Sequence, residues 1–153
     1  FGRELELALT IAAGTEPVAV EAALHTYVGV GDVRQVVVHG LEGHGYFDKV
    51  IRALARQDDG PLVLTGEIDR VYDCPTPVTV DDPVLDRRVT VTGRGAANVV
   101  VWNPWAEKSA GIDGFGPDEW IDMVCVETAN ALDHAVALAA GEAMTIATTI
   151  AVG

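Results

Sequence analysis

The sequence lacks long apolar runs and is poor in positive charge. No window contains the roughly 20 uncharged apolar residues that a membrane helix needs. Ten Lys and Arg stand against 23 Asp and Glu, which gives a net charge of −13, and no basic cluster offsets it locally. Such a protein is repelled by nucleic acid phosphates and by anionic membrane surfaces. The composition therefore predicts a soluble protein that binds neither nucleic acid nor a membrane.

Cysteine is also scarce. Cys74 and Cys125 are isolated, without a CxxC motif or a Cys/His ligand spacing, so the sequence predicts neither a disulfide scaffold nor a zinc site. The four histidines show no metal-ligand spacing, and neither a dinucleotide-binding nor a phosphate-binding glycine motif is found. We expect a protein of the reducing cytoplasm that uses no metal and no cofactor.

What the chain does contain is alternation of apolar and polar residues with a period of two. About nine strands are predicted, and they are separated by Gly, Pro and Asp turns such as CPTP at 74–77. Only residues 49–57 have a helical composition, and they fit a long loop equally well. The 153 residues show no linker or repeat. The pattern predicts one all-β domain over 1–153, an antiparallel β-sandwich.

The first residues already show a complete strand pattern. Residues 4–12 alternate, with Leu5, Leu7 and Leu9 on one face, although the chain begins at Phe1 and not at Met. We therefore expect the natural protein to extend upstream of Phe1.

A histidine interrupts a strand that otherwise resembles core, in the stretch AALHTYVGVGD at 22–32. Because the even positions are aliphatic, His25 shares the other face with Glu21, Ala23 and Tyr27. A face of this kind suits a cleft for a polar ligand, although a lone strand histidine can equally be structural or exposed.

Carboxylates occur on two further predicted strands. In GEIDRVY at 66–72, Glu67 and Asp69 share a face that is either solvated or ligand-binding. Glu127 closes a strand on the same side as Met123 and Cys125, near three tryptophans that lie within 19 positions. Burial among apolar side chains would raise the pKa of Glu127 towards the range of a general base. If the strand instead ends at Glu127, the side chain simply reaches water and has no such role.

Four segments carry a family resemblance. AALHTYVGVGDVRQVVVHGLEG, TGEIDRVY, VVVWNPWAEKSAGIDGFGPDEWIDMVCVETAN and LAAGEAMTIATTIAV occur in the order and spacing of the C-terminal half of D-hexose-6-phosphate mutarotases. This family, the glucose-6-phosphate 1-epimerases, belongs to the galactose-mutarotase-like (aldose 1-epimerase) superfamily. The resemblance implies that 1–153 is the C-terminal portion of one β-supersandwich domain whose N-terminal half is absent. The sequence departs from the family at Val28, where the family usually has Phe.

The resemblance also implies a reaction and its residues. The family interconverts the α and β anomers of a hexose 6-phosphate by acid/base ring opening and closure, without a metal or cofactor. By position in the motifs, His25 corresponds to the general acid, Glu127 to the general base, and Asp69 to a carboxylate that binds sugar hydroxyls. His25 would stand about one sugar ring away from Glu127. The arginines that hold the 6-phosphate come largely from the half that is absent.

Three other functions remain open. The protein could act on an unphosphorylated aldose, it could be a non-catalytic carbohydrate-binding β-sandwich, or the chain could be a piece of a domain without activity of its own. If the protein is a hexose-6-phosphate mutarotase, the expected partner is a small-molecule sugar phosphate. The sequence does not determine the oligomeric state.

Overall fold

A computed structural model describes residues 2–74 and 77–153 of the chain. Within these residues the chain forms fifteen strands, one short α-helix and two 3₁₀ turns. None of the helices in the described part is long and apolar enough to cross a membrane. Pro75 and Thr76, which belong to the predicted CPTP turn, lie outside the described residues.

One sheet has six strands, with the spatial order β1-β15-β11-β10-β5-β8. All its pairings are antiparallel. In chain order its strands are β1 (Glu4–Ala12), β5 (Val37–His39), β8 (Leu62–Val63), β10 (Val78–Asp82), β11 (Arg87–Arg94) and β15 (Ala143–Val152).

The second sheet has seven strands and is also antiparallel. Its order is β3-β13-β12-β9-β6-β7. The seventh strand, β4, pairs with β13, as β3 does. In chain order its strands are β3 (Ala22–Leu24), β4 (Tyr27–Gly29), β6 (Gly45–Asp48), β7 (Ala53–Arg56), β9 (Ile68–Tyr72), β12 (Asn98–Asn103) and β13 (Met123–Asn130).

Short elements complete the fold at the sheet ends. A two-stranded sheet joins β2 (Val18–Val20) to β14 (Val136–Leu138). Helix α1 (Trp105–Ser109) follows β12, and the 3₁₀ turns Glu119–Asp122 and Leu132–His134 lie on either side of β13.

The core lies between the two large sheets and consists mainly of valine. Val38, Val80 and Val91 of the six-stranded sheet are in one buried cluster with Val101 and Val126 of the seven-stranded sheet. β-branched side chains suit such an interior because they pack well on a pleated surface. The antiparallel β-sandwich predicted from the alternation is confirmed. Val28, where the sequence departs from the family, is also in this core.

Local predictions were less accurate. The alternating residues 18–24 form two strands in different sheets, because the chain turns at Glu21 between β2 and β3. Residues 49–57 form a turn followed by β7, so the helical interpretation of this segment is wrong. The leucine face of β1 is substantially exposed, with Leu5 at 54% and Leu7 at 44%. This strand pairs on one side only, with β15.

The candidate active site

Glu127 lies on the face of β13 that is opposite the sandwich core. Val124 and Val126 point into the core, so Cys125 and Glu127 project from the outer face of the seven-stranded sheet. A cleft of about 400 Å³ lies on this face, and Glu127 is part of its wall. The side chain is nevertheless only 6% exposed. The strand-end interpretation, in which Glu127 simply reaches water, is therefore wrong.

The strand register places His25 directly opposite Glu127. Leu24 pairs with Thr128 and Tyr27 pairs with Cys125, so β3 and β4 share one continuous register along β13. His25 falls in the gap between them, where its ring is half exposed, at 48%. Its Nε2 lies 3.2 Å from Glu127 Oε1. The expected separation of one sugar ring is wrong for the free site, since cross-strand neighbours meet directly.

Aromatic rings hold the histidine from two sides. Tyr27 stacks on His25 with centroids 4.8 Å apart, and Trp102 meets the imidazole edge-on at 5.8 Å. Trp102 also lines the cleft, whereas Trp105 and Trp120 pack against each other at 4.6 Å and contact the sandwich core. Of the three clustered tryptophans, only Trp102 is therefore placed to contact a cleft ligand.

Asp69 reaches the same cleft from β9. Asp69 pairs with Trp102 of β12, and Trp102 pairs with Cys125 of β13. Asp69 therefore lies in a cross-strand row of residues that is adjacent to the row containing Glu127. Lys49 Nζ is 3.2 Å from Asp69 Oδ1 and also lines the cleft. Glu67, which shares the predicted face with Asp69, instead pairs with Lys108 at 2.7 Å and is not among the residues lining the cleft.

The pKa of Glu127 is raised from its ordinary 4.5 to about 7. Burial is the largest cause, because desolvation disfavours the charged carboxylate; the negative charge of Asp69 adds to it, and the positive charge of Lys49 opposes it. A carboxyl group with a pKa near neutrality exchanges protons readily in both directions. The site is therefore suited to proton transfer.

Cys125 lies beneath the histidine and contacts its other nitrogen. Its Sγ is 3.6 Å from His25 Nδ1. Burial, together with the charge of Glu127, raises the pKa of the thiol, so it stays protonated at neutral pH. When Glu127 is ionised, its Oε1 accepts the hydrogen bond from Nε2–H of His25. The ring then presents its proton from Nε2, the nitrogen nearer the carboxylate.

Two of these contacts have no local signal in the sequence. Lys49 meets Asp69 only because β6 pairs with β9, and Cys125 meets His25 across 100 residues. By contrast, alternation alone placed His25 on one face with Glu21 and Ala23, which also line the cleft.

Comparison with known proteins agrees with this architecture. Residues 2–151 match the family model described as aldose 1-epimerase. The chain belongs to the aldose 1-epimerase family. Within this family it is 36% identical over 129 residues to a Cenchrus ciliaris protein named "Putative glucose-6-phosphate 1-epimerase", an alignment that covers 82% of this chain. A protein of the same name from Escherichia coli K12 is 39% identical over 112 residues, or 72% of this chain.

A solved structure of this epimerase family has the same fold. The crystal structure titled as a "putative mutarotase" from Salmonella typhimurium superposes with a TM-score of 0.88 at 33% identity, covering 99% of this chain. The chain spans only part of these proteins: 39% and 38% of the two curated relatives and 50% of the Salmonella chain.

Proposed function

We propose that the protein is a mutarotase that interconverts the α and β anomers of a hexose 6-phosphate, with the present chain as the C-terminal portion of its single catalytic domain. The observation that carries the proposal is the contact between His25 and a buried Glu127 in the wall of a cleft. Two proton-transfer groups meet where a small ligand can bind, and the cleft volume lies in the range of small-molecule sites. The names of the two curated relatives support the substrate.

In the proposed reaction, ionised Glu127 removes the proton of the anomeric hydroxyl while the imidazolium form of His25 donates a proton to the ring oxygen and becomes neutral imidazole. The bond between the anomeric carbon and the ring oxygen breaks, which leaves an open-chain aldehyde. After the aldehyde rotates, the hydroxyl formed from the ring oxygen attacks the other face of the aldehyde carbon. His25 takes its proton back from this hydroxyl, and Glu127 returns its proton to the aldehyde oxygen, which becomes the new anomeric hydroxyl. Both groups end in their starting states, so the cycle balances.

Asp69 has the role of holding sugar hydroxyls. Its carboxylate lies one row of residues away from Glu127 and accepts hydrogen bonds from the hydroxyl groups of the ring. The pair with Lys49 keeps Asp69 oriented towards the cleft.

Two proton-transfer groups argue against a purely carbohydrate-binding β-sandwich. Binding a neutral sugar needs neither an acid nor a base, and burying a carboxylate costs free energy. Catalysis accounts for the burial of Glu127, because the raised pKa makes the carboxylate a better base.

One observation favours an unphosphorylated aldose as the alternative substrate. Among the described residues that line the cleft, Lys49 is the single Lys or Arg, while Glu21, Asp69 and Glu127 are acidic. A phosphate would therefore need cations from outside these residues. Under the leading proposal, these cations come from the part of the complete domain that lies outside the present chain.

The test is a comparison of anomer equilibration rates by the complete protein for glucose 6-phosphate and for glucose. Anomeric proton NMR signals follow the approach to equilibrium, and the spontaneous rate is subtracted. We expect kcat/KM to be at least about tenfold higher for the phosphate, a difference of about 1.4 kcal/mol that one charge-assisted contact supplies. Equal rates support the aldose alternative, and no acceleration of either sugar overturns the enzymatic proposal.

A further inference from the structure

Three side chains with different metal-binding atoms meet beside the cleft, where His25 and Glu127 line its wall and Cys125 is buried. His25, Cys125 and Glu127 each offer a ligand atom, and these atoms all lie within 4.8 Å of one another. The shorter separations are 3.2 Å from His25 Nε2 to Glu127 Oε1 and 3.6 Å from His25 Nδ1 to Cys125 Sγ. Within residues 2–74 and 77–153, this is the one group of three His, Cys, Asp or Glu side chains that the structure brings close enough to hold a metal ion.

The spacing is close to what a tetrahedral ion requires. Zinc bonds to nitrogen, oxygen and sulfur of about 2.0–2.3 Å place neighbouring ligand atoms about 3.3–3.8 Å apart. Cys125 and Glu127 are held on β13 by pairing with β12, so their positions are fixed. His25 lies between β3 and β4 and is half exposed, and its ring must turn between Tyr27 and Trp102 for one nitrogen to face both partners.

The kind of donor atoms selects the kind of ion. Mg²⁺ and Ca²⁺ prefer sets of oxygen ligands, whereas a thiolate with an imidazole and one carboxylate suits Zn²⁺ and similar thiophilic ions. Three protein ligands leave the fourth tetrahedral position for a water molecule.

The local charge also favours a cation. Asp69 lies near the three ligands and raises the pKa of Glu127 by its negative charge. The carboxylates of Glu127 and Asp69 attract a divalent ion, and Cys125 must lose its thiol proton to bind it, so a proton is released on binding.

We infer that His25, Cys125 and Glu127 bind Zn²⁺ or another thiophilic divalent cation in the wall of the cleft, and that the bound ion inhibits the enzyme. Inhibition follows because the ion occupies the lone pairs of both the proposed acid and the proposed base. The inhibitory half rests on the proposed function, whereas the binding half does not. Binding tightens as the pH rises, since the ligands lose protons to the solvent.

Binding is tested with Co²⁺ as a spectroscopic probe of the zinc site. Tetrahedral cobalt bound to a thiolate gives a near-ultraviolet charge-transfer band and visible d–d bands, and Zn²⁺ removes both by displacement. We expect these bands with the unmodified protein and no charge-transfer band with Cys125→Ser. Cys74→Ser is the matched control, because Cys74 is the other buried free thiol and donates to the Gly40 carbonyl, outside the group of His25, Cys125 and Glu127; its spectrum should equal that of the parent.

Absence of the charge-transfer band in the parent overturns the inference, as does its persistence in Cys125→Ser or its loss in Cys74→Ser. If Cys125→Ser does not fold, His25→Gln at a half-exposed position decides the matter, with an expected loss of at least about tenfold in Co²⁺ affinity. Unchanged affinity of that variant overturns the inference.

Inhibition is tested separately on the complete protein. Zn²⁺ should slow anomer equilibration in competition with the sugar, EDTA should restore the rate, and Mg²⁺ should have no effect. Cobalt bands without zinc inhibition overturn the inhibitory half. If the complete protein has no mutarotase activity, the proposed function fails, while the cobalt spectrum still decides the metal site.

Discussion

His25 Nε2 and Glu127 Oε1 are 3.2 Å apart, so the proposed acid and base contact each other directly in the free site. Their contact follows from one continuous register along β13. A sugar must therefore come between them for both groups to reach the anomeric centre. The half-exposed histidine is the partner that can turn away, because Glu127 is buried on a central strand. In the proposed reaction, the sugar would replace this contact by one hydrogen bond to each of the two groups.

Glu127→Gln should lower the mutarotation rate of the complete protein by about 10² or more, the scale for a positioned base. The amide keeps the shape of the side chain and removes only its basicity. Anomeric proton NMR measures the rate above the spontaneous background. Glu67→Gln is the matched control, because Glu67 pairs with Lys108 outside the cleft. A folded Glu127→Gln protein within about threefold of the parent would show that Glu127 is not the base.

His25→Ala should cause a similar loss, of about 10². Because both groups act in one proton relay, the double variant with Glu127→Gln should lose much less than the product of the two single effects. The same NMR assay applies, with His39→Ala as the control; His39 pairs with Asp81 in the other sheet. Fully multiplicative losses would contradict the relay.

Asp69→Asn should act mainly on KM. A residue that holds hydroxyls binds the ground state and the transition state alike, so its loss weakens binding without slowing the chemical step. Steady-state kinetics with the sugar phosphate separate the two constants. A fall in kcat comparable to that of Glu127→Gln would instead place Asp69 in the proton transfer.

The pH dependence should follow the ionisation of Glu127. Since the base must be ionised, kcat/KM should rise with pH through about 7. Asp69 raises this pKa and Lys49 lowers it, so Asp69→Asn should move the rising limb to lower pH and Lys49→Met should move it to higher pH. Rate profiles between pH 5 and 9 test the signs. Shifts of both variants in the same direction would contradict the electrostatic account.

Stability should show the cost of the buried carboxyl group. The folded pKa of about 7 exceeds the ordinary 4.5, so between these values the folded protein binds more protons than the unfolded chain. The contribution of Glu127 to stability is therefore fully present below pH 4.5 and is lost as the pH rises through about 7. Glu127→Gln cannot ionise, so its melting temperature relative to the parent should increase from pH 5 to pH 8. An equal difference at both pH values, measured by circular dichroism, would contradict the raised pKa.

Alternation along the chain was sufficient to establish several features. It determined the sandwich class, because a period of two with valine-rich runs has few other solutions. It also determined which residues share a face: Glu127 with Cys125, and His25 with Ala23. The motifs, by their resemblance, indicated the family that the comparison then showed.

Tertiary structure decided the rest, because pairing between distant strands leaves no trace in local pattern. Only the register along β13 shows that His25 and Glu127 touch, and only the pairing of β6 with β9 brings Lys49 to Asp69. Glu127 is buried on a strand flanked by β12 and β3, which the sequence alone does not pair, so the sequence left it open between a solvated strand end and a base. The chemistry of the site depends on that burial, since desolvation is the largest cause of the raised pKa of Glu127.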